Sequence, residues 1–323
     1  MSRIPSIEEF AGHVIVKGVC GNISCDVDVT VVTACFNPFD AGRRELLRKN
    51  LDSVQAQEGV RLEHLIIDGA STDGTLEWLK GYNNARHDIR ILSKPDSGIY
   101  EAMNRGIALA RGKYIIYLNS DDYFHDARGM AVSVKRIGEL QCNFSFAPVR
   151  FYPPKIRRHT QLAPQRRIHR FLISWSFSHQ SMLTSRALLL KLDGFDTSYR
   201  SAADYDLLLR MIEAGAKGCF VPLSFSTFTL GGFSAENREL AYAECARSLY
   251  GFFKRFYHTE MKSREVEHIV RHRIYPSKYI DIYKQSQKLI RERFIGIPNG
   301  PVAKLSRWFN YIKYYLKCKR TNI

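Results

Sequence analysis

The chain has 323 residues, of which 45% are hydrophobic and 25% charged, and its formal net charge is +16. This composition is typical of a globular protein with a sizeable core, and no apolar run approaches the roughly 20 residues that a membrane-spanning helix needs. The charge indicates an anionic partner. It is concentrated near the end, where residues 241–323 hold 18 Lys and Arg against 6 Asp and Glu.

The seven cysteines lack CxxC spacing, and the first ten residues contain no apolar signal-peptide core. We therefore expect reduced thiols rather than a zinc site or a disulfide framework, and a cytoplasmic location.

Strand-like and helix-like segments alternate over much of the chain. Predicted strands cover residues 29–34, 62–67, 89–92 and 114–118, and predicted helices cover residues 43–57, 75–82, 97–111 and 205–213. This alternation predicts an α/β fold with a mostly parallel sheet. Before it, residues 1–27 form a predicted N-terminal extension with a short hairpin around HVIVKGV, and after it residues 236–323 form a basic helical region.

Polar residues follow three of the predicted strands, at residues 36–37, 68–73 and 119–122. Ligands of parallel sheets bind beyond the carboxyl ends of the strands, so these clusters predict a binding site. The adjacent carboxylates of Asp121 and Asp122 repel each other, and a divalent cation shared with phosphate oxygens would explain them. The alternative is a solvated turn or a helix cap.

Seven motifs follow one another in a fixed order: VTVVTACFN, IIDGASTDGT, KPDSGIYEAMNRG, YLNSDD, SHQS, GFDTSYRSAADYDLLLR and LGGFS. Together they resemble the family 2 glycosyltransferases, and among these the bacterial enzymes that build polysaccharides such as colanic acid. The resemblance covers about residues 28–235. It implies a GT-A nucleotide-sugar-binding fold, with the remaining C-terminal residues as a helical extension.

The resemblance implies that Asp121 binds Mn²⁺ or Mg²⁺, with Asp122 and His179 as weaker candidates for the metal site. Family members often have Asp-x-Asp ending at this position, but here the first acid is Asn119, so the site has one negative charge fewer. For His179 the alternative is an ordinary core histidine.

The resemblance also implies a set of nucleotide-sugar ligands. They are Thr33, Phe36, Asn37, Asp68, Asn104, Arg105, Asn119, Ser120 and Gly232. The alternatives are strand packing for Thr33 and Phe36 and a surface helix position for Asn104. Family members often have a second Asp after Asp68, where this chain has Gly69, and the implied donor is a UDP-sugar.

Asp204 matches the acidic motif that holds the catalytic base in the family. It would take a proton from an acceptor hydroxyl in a single displacement with inversion. The residue before it is Ala203, where family members often have Glu. The alternative for Asp204 is an N-cap of the following helix.

Two basic segments have less specific patterns. Leu305, Trp308, Phe309, Ile312 and Leu316 form one helical stripe flanked by lysines, which predicts an amphipathic helix in a membrane interface or, alternatively, a helix packed on the catalytic domain. The basic loop at residues 150–170, with Arg157, Arg158, Arg166 and Arg167, faces either an anionic acceptor or solvent.

These predictions favour an inverting, metal-dependent glycosyltransferase peripheral to the inner face of the plasma membrane. It would move a sugar to a lipid-linked saccharide in bacterial surface polysaccharide biosynthesis, and no nucleic acid is expected as a partner. One alternative is a nucleotidyltransferase, which does not explain Asp204. Another is a non-catalytic module on a degenerate transferase fold that binds anionic glycan or nucleic acid.

Overall fold

A computed structural model describes residues 4–10, 12–17, 26–82, 88–153, 161–162, 172, 178–273 and 275–297. Its main sheet has nine strands in the order β1-β4-β3-β2-β5-β10-β7-β11-β13. They are β1 (Val14–Lys17), β2 (Val29–Cys35), β3 (Leu62–Asp68), β4 (Asp88–Ser93), β5 (Tyr114–Tyr117), β7 (Phe144–Phe146), β10 (Thr184–Ser185), β11 (Gly218–Phe220) and β13 (Phe294–Ile295). The predicted α/β class is confirmed.

The centre of this sheet is parallel, because β2 pairs in parallel with both β3 and β5, and β3 with β4. Cys35, Asp68 and Ser93 lie side by side in this register. The carboxyl ends of three strands therefore meet at one edge of the sheet, as the sequence predicts.

The described part of the chain contains ten α-helices, of which the last three follow most of the sheet strands in sequence. They are α1 (Arg44–Gln55), α2 (Thr75–Gly81), α3 (Ile99–Leu109), α4 (Gly129–Leu140), α5 (Arg186–Lys191), α6 (Ala203–Glu213), α7 (Phe233–Glu236), α8 (Arg238–Phe256), α9 (Ser263–His272) and α10 (Ile280–Arg293). Both faces of β3 are buried, which explains why its sequence lacks a polar–apolar alternation.

One buried ion pair lies inside the parallel sheet. Arg90 Nη1 donates to Glu63 Oε1 at 2.7 Å, and Glu63 Oε2 accepts from Thr30 Oγ1 at 2.7 Å and from the Arg111 amide at 2.9 Å. Because Glu63 is only 1% exposed, these contacts are what make its charge tolerable in the core.

A second sheet of four strands has the order β6-β12-β8-β9. Its strands are β6 (Tyr123–Phe124), β8 (Val149–Tyr152), β9 (Gln161–Leu162) and β12 (Ser226–Thr229). The end of β12 contacts the acidic segment after β5, since the Thr229 hydroxyl donates to the Asp121 carbonyl at 2.5 Å. This sheet therefore fixes the position of the predicted metal ligand.

The two chain ends add elements to this fold. In the N-terminal extension β1 pairs antiparallel with β4, so the described half of the predicted hairpin is an edge strand of the main sheet. At the other end, α8 packs against α6 and α9 packs against α8. The predicted amphipathic helix and the arginines of the basic loop lie outside the described residues. Among the residues that are described, no helix is long and apolar enough to cross a membrane.

Candidate active site

The acidic segment after β5 contains two carboxylates in different environments. Asp122 is fully buried, and its two oxygens accept from Gln180 Nε2 at 2.8 Å and from the Thr229 amide at 2.7 Å. Burial raises the pKa of Asp122 well above its usual value, and the neighbouring Asp121 raises it further. These contacts favour a structural role for Asp122. Its role as a metal ligand stays a prediction, and no contact here supports it.

Asp121 lies at the edge of the site and is paired with a residue that the sequence analysis did not select. Its Oδ2 accepts from Arg43 Nη1 at 2.7 Å, and Arg43 Nη2 also donates to the Gly231 carbonyl at 3.4 Å. Burial raises the pKa of Asp121, and the Arg43 guanidinium opposes that shift. Arg43 therefore joins the acidic segment to the glycine turn that precedes α7.

The predicted metal site can be tested against its polar atoms. The buried atoms Asn119 Oδ1 and His179 Nε2 have no hydrogen-bond partner in the described part of the chain. The same part contains no group of three His, Cys, Asp or Glu side chains placed to hold a metal. The unpaired oxygen of Asn119 and nitrogen of His179 are atoms of the kind that ligate a divalent cation, and the metal site with Asp121 stays a prediction.

Asp204 and His179 form a pair. His179 Nδ1 lies 3.3 Å from Asp204 Oδ2, and the Asp204 side chain is 10% exposed. Helix α6 begins at Ala203, with Ala202 as its N-cap residue, so the alternative that Asp204 is the N-cap is not supported. An ionised carboxylate only accepts hydrogen bonds, so a hydrogen bond in this pair requires a proton on Nδ1 of His179, which leaves a lone pair on Nε2 of the neutral ring. Histidines that bind metals commonly have this arrangement.

This pair lines a cleft of about 680 Å³. Asn119, Gly231 and Gly232 also line it, and its apolar wall includes aromatic side chains. The backbone of Gly231 has a φ of 100°. This conformation favours glycine and explains why the first G of the LGGFS motif is a glycine. Four predicted site residues, Asn119, His179, Asp204 and Gly232, thus line one cleft although the chain separates them widely.

A second acid that the sequence analysis missed fixes the loop before Asp204. Glu244 of α8 is 7% exposed, and its carboxylate accepts from three consecutive amides, those of Arg200 at 2.8 Å, Ser201 at 2.7 Å and Ala202 at 2.9 Å. Consecutive amides that converge on one anion form a nest. Because α6 begins at the next residue, Glu244 fixes the direction in which the helix presents Asp204.

The residues predicted for the nucleotide lie at the neighbouring strand ends, and most of their polar atoms already have partners. Asp68 is fully buried and accepts from the hydroxyl groups of Ser71 at 2.5 Å and Ser93 at 2.6 Å. Thr33 is also fully buried, and its hydroxyl lies 2.9 Å from His64 Nε2. Their roles as ligands stay predictions, and the contacts favour the strand-packing alternative for Thr33.

Phe36 differs from these residues because it is 65% exposed at the end of β2. A Cβ atom on Gly69 would lie 3.2 Å from the Phe36 ring and 3.0 Å from Asp96 Oδ2. Glycine at this position, where the family often has Asp, therefore avoids a close contact with both the Phe36 ring and the Asp96 carboxylate. Asn37 closes the same loop, since its Oδ1 accepts from the Thr72 amide at 2.9 Å.

Asn104 and Arg105 make contacts within the protein. The Asn104 amide group donates to the Phe195 carbonyl at 2.8 Å and accepts from the Phe195 amide at 2.8 Å. Arg105 donates to the carbonyls of Lys94 at 2.7 Å and Pro95 at 2.5 Å. Both residues are nearly fully buried, which excludes the surface alternative for Asn104, and their expected contact with the nucleotide has no support here. Ser120 is half-buried in the turn between Asn119 and Asp121.

Comparison with known proteins gives a consistent result. Residues 30–187 match the family model described as Glycosyl transferase family 2. An uncharacterised glycosyltransferase of Mycobacterium tuberculosis is 29% identical over 198 residues, which cover 56% of this chain and 68% of that protein. A PGL/p-HBAD biosynthesis glycosyltransferase of Mycobacterium bovis is 30% identical over 163 residues, which cover 50% of this chain and 62% of that protein.

Solved structures share the fold at low sequence identity. Residues 1–349 of TarS from S. aureus, in complex with UDP-GlcNAc, give a TM-score of 0.56 at 14% identity, with 90% of each chain covered. The mannosyltransferase PcManGT from Pyrobaculum calidifontis, in complex with GDP-Man and Mn²⁺, gives 0.53 at 16% identity, with 92% of this chain and 83% of that one covered. The predicted GT-A fold is confirmed, and the similarity of residues 30–187 to glycosyl transferase family 2 supports the prediction of a glycosyltransferase.

Proposed function

We propose that the enzyme moves a sugar from a nucleotide-sugar, with a UDP-sugar favoured, to a hydroxyl group of a saccharide acceptor, with inversion at the anomeric carbon. The observation that carries this proposal is the cleft in which Asp204, paired with His179, lies with Asn119 and the Gly231–Gly232 turn. Asn119 follows the carboxyl end of β5, where ligands of parallel sheets bind, so this cleft supports a donor bound beside Asp204.

The chemistry follows from a single displacement. Asp204 takes the proton of the acceptor hydroxyl while that oxygen forms a bond to the anomeric carbon. The bond from this carbon to the diphosphate oxygen breaks at the same time, and its electron pair leaves with the diphosphate. Since attack and departure occur on opposite faces of the sugar, the configuration inverts.

The donor half of the proposal rests on two groups of residues. Asp121 and Asn119, with His179, would hold Mn²⁺ or Mg²⁺, which when bound neutralises charge on the leaving diphosphate. The exposed Phe36 ring and the nearby Asp96 carboxylate suit a nucleobase, because a base can stack on the ring and donate its N–H groups to the carboxylate.

Nucleotide binding with metal tests this donor site. We expect one of UDP, GDP, TDP and CMP to raise the melting temperature by a few degrees with Mn²⁺ or Mg²⁺ and not with EDTA, since a ligand at 100 times its Kd stabilises the native state by about 2.7 kcal/mol. In an Asp121→Asn variant, the part of the melting-temperature rise that depends on the metal should disappear. An absence of any shift with all four nucleotides would contradict the donor site.

The acceptor and the location belong to the same proposal. We propose a lipid-linked saccharide of a bacterial surface polysaccharide, reached from the inner face of the plasma membrane through the amphipathic segment at residues 305–316. The apolar stripe with flanking lysines supports this. Deletion of residues 300–323 should release the protein from anionic vesicles in a flotation assay, and unchanged flotation would contradict the membrane role.

A further inference from the structure

Two arginines line the cleft that contains Asp204. Arg200 comes from the loop before α6, and Arg273 follows the last residue of α9. Both side chains are exposed to the cleft, and the Arg200 guanidinium lies 5.4 Å from the centre of the Phe233 ring. Two cations from distant parts of the chain therefore approach one cavity.

The conformation of Arg273 is unusual for its residue type. Its φ of 58° lies in the left-handed region, where glycine is the common residue after a helix and other residues are strained. An arginine at this position thus carries a charge where glycine would fold more easily. Strained residues of this kind are found most often at ligand-binding and active sites.

The positive charge of these two residues is not balanced within the described part of the chain. No ion pair there includes Arg200 or Arg273, whereas the nearby Arg271 pairs with Glu239 at 2.7 Å. The two acids that line the cleft are already engaged, Glu101 with Arg105 at 2.6 Å and Asp204 with His179 at 3.3 Å. The cleft wall is therefore suited to a negatively charged ligand.

The arginines lie in the same cleft as Asp204, which must meet the acceptor hydroxyl. The predicted donor residues Asn119 and Gly232 also line this cleft, while Thr33, Asp68 and Asp121 do not. A guanidinium binds phosphate or carboxylate oxygens through two parallel hydrogen bonds. The aromatic wall beside the arginines suits sugar faces or an alkyl chain.

We infer that the acceptor of this enzyme carries a negatively charged group, a phosphate or a carboxylate, that Arg200 and Arg273 bind next to the hydroxyl presented to Asp204. The inference rests on the proposed function and adds the chemical class of its acceptor. Phosphate would come from a lipid carrier and carboxylate from an acidic sugar.

The test measures binding of three matched amphiphiles to the 323-residue chain by calorimetry. They are decyl diphosphate, decyl β-D-glucuronide and the neutral decyl β-D-glucoside. We expect one of the charged ligands to bind at least about tenfold more tightly than the glucoside, as hydrogen bonds to charged groups imply. Preference for the diphosphate assigns a lipid-carrier phosphate, and preference for the glucuronide assigns an acidic sugar.

Variants connect this preference to the two residues. Arg200→Gln and Arg273→Gln should each remove about tenfold of the affinity for the charged ligand, and Arg271→Gln is the control because its side chain pairs with Glu239 outside the cleft lining. Arg273→Gly keeps the test valid if the Gln variant folds poorly, because glycine accepts the left-handed conformation. Equal affinity for all three amphiphiles would overturn the inference.

A parallel titration with UDP and Mn²⁺ separates the two proposals. Loss of UDP affinity in the Arg200 and Arg273 variants, with amphiphile binding unchanged, would assign the arginines to the donor and overturn the inference. A wild-type protein that binds no nucleotide but prefers the charged amphiphile would contradict the proposed donor site and support the anionic site.

Discussion

Replacement of Glu244 should destabilise the protein and displace its proposed catalytic base. The carboxylate accepts three hydrogen bonds, at 2.7 to 2.9 Å, from the amides of Arg200, Ser201 and Ala202, which precede α6. In Glu244→Ala these amides lose their acceptor, and two of the three bonds are buried.

The magnitude follows from the kind of bond. A hydrogen bond to a charged group contributes about 1.5–3 kcal/mol, and bonds that share one carboxylate are not additive. We therefore expect Glu244→Ala to lower the free energy of unfolding by about 3–5 kcal/mol. Glu244→Gln keeps one acceptor oxygen but turns an NH₂ group toward the amides, so it should lower the free energy of unfolding by about 2 kcal/mol.

Urea unfolding followed by circular dichroism measures the stability, and turnover of nucleotide-sugar at a temperature where the variant is folded measures the position of Asp204. Turnover should fall about tenfold or more in Glu244→Gln, because misplacement of a catalytic group has a large effect on rate. Glu239→Gln is the control, since this residue lies on the same helix in an exposed pair with Arg271 and should change stability by less than about 1 kcal/mol. A Glu244→Gln protein with unchanged stability would refute the reasoning.

Three further outcomes follow from the structure. Arg90→Met removes the nearest cation of the buried Glu63 and leaves only Arg111, whose Nε lies 3.7 Å from Glu63 Oε1. The free energy of unfolding should fall by about 3 kcal/mol, the low end for a broken buried pair. Arg48→Met, which breaks only exposed pairs, is the control, and equal losses in urea would contradict the role of the buried pair. Phe36→Ala should leave stability nearly unchanged, because the ring is 65% exposed, while the Kd for UDP measured by calorimetry rises about 5- to 100-fold. Unchanged affinity would exclude Phe36 from the base site. The Lys278 ammonium lowers the pKa of Glu265 from 4.5 to about 2, so this carboxylate stabilises the C-terminal helices above pH 4.5, and the contribution is lost as the pH falls toward 2. Glu265→Gln should reduce the pH dependence of the free energy of unfolding in that range. The same pH dependence in wild type and variant would contradict this.

The sequence was sufficient for elements whose pattern is local. The β-branched run of β2, the apolar β3 and the apolar face of α3 each follow from periodicity within about ten residues. Asp204, His179 and Asn119 were selected because they stand in short motifs, and the fold brings them to one cleft. The motifs therefore indicate residues that are distant in the chain and lie in one cleft, while their roles stay predictions.

Polar contacts between distant residues could not be predicted in this way. Arg43 reaches Asp121, and Glu244 reaches the loop before α6, across large sequence separations, and neither residue stands in a recognisable motif. Asn104 shows another limit, because its position in a motif suggests a ligand while its amide binds the backbone of Phe195, and its role as a ligand stays a prediction. A polar side chain in a motif can serve the architecture of a loop as well as a substrate.

The central claim is that Asp204 is the base of a transfer from a nucleotide-sugar. The most direct measurement is release of nucleotide from UDP-glucose, UDP-GlcNAc, UDP-galactose and GDP-mannose with Mn²⁺, compared between wild type, Asp204→Asn and the control Asp196→Asn, which does not line the cleft. The account predicts that wild type and Asp196→Asn turn over one of these donors, and that Asp204→Asn is slower by about 10²- to 10⁴-fold at unchanged nucleotide affinity. Full turnover by Asp204→Asn would contradict it.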